Sequence, residues 1–118
     1  MVDGNVERVM ARLHAVSDPL PGAKPRLREL ARRLTPERRP GDYAQALMDL
    51  GATICRPRAA ACPACPWQAD CLAQQQGLQG HLPRRSPPTA RPLRHGVAFW
   101  ISDAEGRVLL RRRPDRGL

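Results

Sequence analysis

The chain has 118 residues, room for one small domain, and carries a formal net charge of +9 with a pI near 11.1. It holds 13 prolines, 4 cysteines and only four aromatic side chains: Tyr43, Trp67, Phe99 and Trp100. No apolar run is long enough to span a bilayer and no basic-then-apolar secretory start is present, which excludes a membrane role and makes the cytoplasm the expected location.

The positive surplus points to an anionic partner, although an Arg-rich composition also produces one unaided. It is uneven: residues 1–80 carry a net +3 and residues 81–118 a net +6. With so few rings, a core must come from Leu, Val, Ala and Ile. The chain is not expected to be a self-sufficient unit.

The expected fold class is mainly α. Over residues 3–17, Val6, Val9, Met10, Leu13 and Val16 fall on one stripe, which predicts a helix with Asp3 or Asn5 as its cap. Pro19, Pro21 and Gly22 end it. A short basic helix over 26–34 carries Leu27, Leu30, Ala31 and Leu34 on one face. Thr35-Pro36 reads as a further helix start. A third helix over 42–54 puts Ala44, Leu47, Met48, Gly51 and Ile54 together, and its glycine marks a close approach by another helix. It delivers the chain to Cys55. A last helical turn or two follows Cys71. Residues 77–93, rich in Pro and Arg, read as a linker. In 94–118, HGVAFWIS, DAEG and RVLLRRR form a β-hairpin pattern.

All four cysteines lie in 55–71, CRPRAAACPACPWQADC, spaced C-x6-C-x2-C-x5-C. Disulfides suit an exported chain, and nothing here marks export. Zinc sites usually pair two short knuckles, whereas only Cys62 and Cys65 make one here. A [4Fe–4S] cubane takes four thiolates at separate corners, so single cysteines on both sides of a knuckle suit a loop wrapped around it. The cubane is the best of the three readings.

The four-cysteine spacing after an apolar helix resembles the cluster loop of the helix-hairpin-helix DNA glycosylases, the superfamily that includes endonuclease III. Two further features resemble the adenine DNA glycosylases of the MutY type within it: AQALMDLGATIC before the loop, and VDGNVERVMARL at the start. The resemblance covers nearly all of the chain but only a middle-to-late slice of such an enzyme. It implies the iron–sulfur portion of the helical domain over 1–76, the linker over 77–93, and the start of a Nudix-like domain over 94–118.

By the same resemblance Asp3 corresponds to the catalytic aspartate and Asn5 to its supporting asparagine. Cys55, Cys62, Cys65 and Cys71 would hold a [4Fe–4S] cluster, and Arg56 and Arg58 would touch DNA phosphates. The implied activity is hydrolysis of the N-glycosidic bond of adenine mispaired with 8-oxoguanine or guanine, in base excision repair. The partner would be double-stranded DNA, and the protein a monomer at the bacterial nucleoid. The resemblance also implies a general-acid glutamate and a DNA-gripping hairpin upstream of the aspartate segment, and Glu7, Glu29 and Glu37 do not match that acid. The chain alone is therefore expected to be inactive. The alternatives are an endonuclease III-like glycosylase/lyase and a non-catalytic metal-bearing DNA-binding module.

Overall fold

The computed structural model describes residues 3–87, 93 and 96–112; parts of the expected linker (88–92) and of the expected hairpin segment (94, 95 and 113–118) lie outside them. The chain divides into two compact units, Met1–Pro88 and Thr89–Leu118. The described residues are helical, with four α-helices, and none is long and apolar enough to cross a membrane.

In the first unit, α1 spans Gly4–Leu13 and starts at Asp3, whose side chain caps it as expected. It stops four residues short of the predicted end. Ala15 takes a positive φ of 47°, and the Val16 amide donates back to the Ala11 carbonyl at 2.8 Å. That is the bond pattern of a Schellman stop, and Val16 tucks inward after it, 1% exposed. The stripe is otherwise as read: Val6, Val9 and Met10 are buried at the centre of the core.

Helix α2, Lys24–Leu34, begins two residues early because Pro25 is tolerated in a first turn. It lays Leu27 and Ala31 against α1. Thr35 closes this helix instead of starting another: its Oγ1 donates to the Ala31 carbonyl at 2.8 Å. The next start is Pro40, after Arg39 takes a left-handed conformation, and α3 spans Pro40–Asp49. The predicted third helix continues to Ile54, but as a π turn over Leu50–Ile54. The cysteine loop contains one 3-10 turn, Cys62–Ala64, and α4 follows at Leu72–Gln75.

The expected linker is not free at its start. Leu82 is buried, Leu20 and Arg85 form a parallel bridge, and the Leu20 amide and carbonyl bond to Arg84 and Ser86 at 2.9 Å. Burial of Leu82 and satisfied backbone bonds outweigh the loop-forming bias of its neighbours. Elsewhere in the unit, Leu34, Met48 and Leu72 are 39–40% exposed, in line with an incomplete core.

The second unit forms no strand among its described residues. What remains of the predicted hairpin is one antiparallel bridge, Ser102 with Val108, closed by Leu109 N–H to the Ile101 carbonyl at 3.0 Å. The DAEG turn is well made: Asp103 accepts from the Glu105 and Arg107 amides, and Gly106 takes a φ of 79°. Phe99 and Trp100 are more than 80% exposed, so no buried face holds the strands together.

Candidate functional site

Helix α1 links the parts of the site. At its start, Asp3 Oδ1 accepts hydrogen bonds from the amides of Asn5 (3.0 Å) and Val6 (2.9 Å). Among the described residues Oδ2 accepts none. The carboxylate is therefore oriented by one oxygen and presents the other. The cap role read from the sequence and a chemical role are thus compatible in a single side chain.

Asn5 sits where α1 crosses the π turn. A Cβ added at Gly51 would lie 2.7 Å from Asn5 Cβ, so this crossing requires glycine. The close approach anticipated for Gly51 comes from α1. The Asn5 amide oxygen accepts from Arg8 Nη2 at 2.9 Å.

Arg8 and Arg12, one turn apart on α1, are buried at 8% and 3% exposure. Arg8 donates to the carbonyls of Gly51 (2.6 Å), Cys55 (2.8 Å) and Gly4 (3.4 Å). Arg12 donates to Cys55 Sγ (3.3 Å) and to the carbonyls of Arg56 (2.7 Å), Pro57 (3.1 Å) and Leu82 (2.9 Å). Among the described residues neither donates a hydrogen bond to a carboxylate, although the Asp3 charge supports that of Arg8. Burial lowers the Arg8 pKa; the Cys55 sulfur opposes this and the Arg12 charge adds to it. Sequence reading missed both residues. The only available signal was their i, i+4 spacing beside the apolar stripe.

The four cysteines line one cavity of about 30 Å³, together with Arg12 and Ile54. All four are half-buried, and none is in a disulfide. Burial pushes the Cys62 thiol pKa up, and the neighbouring Cys55, Cys71 and Cys65 sulfurs push it further, while Arg12 acts the other way. Among the described residues, no three His, Cys, Asp or Glu side chains converge as ligands of one metal ion.

The two loop arginines part company. Arg56 is exposed and bonds locally to the Ala59 carbonyl at 3.1 Å. Arg58 lines a polar hollow of about 260 Å³ with Arg8, Arg12, His81 and Arg85. Glu7 also borders the hollow, but it is buried in an ion pair with Lys24 at 2.9 Å.

No family model matches the chain. It is 45% identical over 84 residues to the adenine DNA glycosylase of Rattus norvegicus, a match covering 70% of this chain and 16% of that protein. It is 45% identical over 138 aligned positions to that of Arabidopsis thaliana, covering all of this chain and 21% of the relative. To that of Mycobacterium tuberculosis strain H37Rv it is 35% identical over 115 residues, covering 92% of this chain and 34% of the relative. The chain thus spans between about a sixth and a third of the length of these relatives.

Proposed function

We propose that this chain, a homologue of the adenine DNA glycosylases, supplies the aspartate and the iron–sulfur portion of an enzyme that removes adenine mispaired with 8-oxoguanine or guanine. The homology supports the activity class. The observation that carries the reading further is the joining of an oriented Asp3 to a four-cysteine cavity through α1 and its two buried arginines.

In the reaction the bond between the sugar C1′ and adenine N9 breaks, and its electron pair leaves with the base. Positive charge grows on the sugar, and water finally adds at C1′. Asp3 would stand beside that charge as an anion, its free Oδ2 toward the sugar. Asn5 would keep Asp3 in place through its amide and is itself held by Arg8. The proton for the departing base needs another acid. Glu7 is committed to Lys24, and Glu29 to Arg32 and Arg33. The target base must also leave the stack, and the pocket for it would lie in the rest of the enzyme.

The four thiols suit a [4Fe–4S] cluster. All four cysteines line one cavity and none is in a disulfide, which gives the four-thiolate donor set that such a cluster takes. The two buried guanidinium charges, bonded only to neutral acceptors, also suit an anionic guest. When bound, the cluster supplies a rigid anionic template for the loop and takes no part in bond cleavage. Arg58, with Arg56 on the rim, would meet DNA phosphates, contacts that position without reading sequence. Residues 94–118 would open a Nudix-like domain. Work in base excision repair fits a cytoplasmic, nucleoid-associated protein.

The test is a chimera in which this chain replaces the aligned segment of the Mycobacterium tuberculosis relative. It should release adenine from a duplex with adenine opposite 8-oxoguanine, and Asp3→Asn should slow release by about 10²–10³-fold. The 118-residue chain alone should release none. A folded chimera with no excision would overturn the assignment.

A further inference from the structure

One residue touches both ends of the cysteine loop. The Arg12 guanidinium reaches Cys55 Sγ, and its main-chain carbonyl lies 3.5 Å from Cys71 Sγ. The same side chain holds the carbonyls of Arg56 and Pro57, just after the first cysteine, and of Leu82, beyond the last. Four of its five N–H groups are thereby used, none on a carboxylate. Arg8 differs in kind: it meets the Cys55 carbonyl and no sulfur.

A guanidinium buried this deeply is costly unless a negative group lies close. Among the described groups that the Arg12 side chain bonds, the one that can turn negative is the Cys55 sulfur, once deprotonated by a bound metal group. Hydrogen bonds to cluster sulfurs and nearby positive charge both favour the more electron-rich state of the cluster. They also set the orientation of the ligand they contact.

We propose that Arg12 is the positioning residue of the metal centre, fixing Cys55 and both flanks of the loop and offsetting the charge of the bound thiolates. The proposal rests on the iron–sulfur reading of the four cysteines. Arg12→Lys keeps the charge but cannot make the four bonds; Arg12→Gln loses both charge and fork.

The chain and both variants are purified without oxygen, assayed for iron, zinc and sulfide, and followed by circular dichroism, voltammetry and iron loss in air. In Arg12→Gln the cluster potential should move to more negative values and iron should be lost on the order of tenfold faster. Arg12→Lys should fall between that variant and the unaltered chain. A colourless unaltered chain with stoichiometric zinc overturns the iron–sulfur reading and this proposal with it. An iron-bearing chain whose two folded variants match it in potential and iron retention overturns the proposal alone. If neither variant folds, the assigned Arg12 Nε–H resonance of the unaltered chain decides. It should resist solvent exchange while iron is bound and lose that protection when iron is chelated; exchange unaffected by iron removal overturns the proposal.

Discussion

Gly51 shows how much one absent methyl group can hold in place. Any Cβ there meets the Cβ and backbone of Asn5 at 2.7–3.3 Å. Those atoms belong to a helix, so the start of α1 itself must move. Gly51→Ala should destabilise the chain by about 1–3 kcal/mol in urea denaturation. Gly4 is a built-in control: nothing lies within 4 Å of its Cβ position. Gly4→Ala should be neutral or stabilise by up to about 1 kcal/mol, as expected for a helix position with ordinary backbone angles. Gly51 was legible in the sequence because glycine on an apolar stripe needs a reason. Arg8 and Arg12 were not, because composition counts charges and is blind to burial. Their partners on the π turn and beyond the loop are carbonyls 43 to 70 residues away, and any residue type supplies a carbonyl.

Among the elements, α1 was the most legible, since its cap and stripe agree. The π turn was not: its register is set by packing of Gly51 on Asn5, and a 3.6-residue period runs through it unbroken. Thr35 misled because its hydroxyl serves a helix end as readily as a helix start. Helix α2 carries an acid-sensitive element of its own. Hydrogen bonds from Arg32 and then Arg33 hold the Glu29 carboxyl down to about 2, from an ordinary value of 4.5. A carboxyl depressed in the folded state adds stability that is complete above its unfolded value and is lost as pH falls toward the folded one. The window is therefore pH 4.5 down to about 2. Thermal midpoints of the chain and of Glu29→Gln, followed by circular dichroism, should differ at about pH 6 and converge at the bottom of that window. A gap that persists unchanged at low pH would rule out this pairing as its source.

At the scale of the molecule, the cysteine loop of the first unit has little regular structure to hold it. From Cys55 to Cys71 it has one short 3-10 turn and a few backbone bonds. Its fixed points are the arginines of α1 and, on the present reading, the cluster. Removing iron should therefore loosen the loop before the helices. Tryptic cleavage after the exposed Arg58 should accelerate by at least about tenfold, roughly 1.4 kcal/mol of local stability, while helical circular dichroism changes little. Fragment masses check the site of cleavage, and an unchanged rate would mean that the protein scaffold alone orders the loop. Segment order and the cysteine grouping were readable in advance. The anchoring of residues 78–86 was not, since Pro and Arg dominate a segment whose decisive member is the single buried Leu82.

The chain contains one lysine, and Lys24 spends it on Glu7, tying the start of α2 to the buried side of α1. Apart from the amino terminus, an amine-reactive reagent has a single side chain to find. Its speed at that one atom is a clock for how often the two helices part.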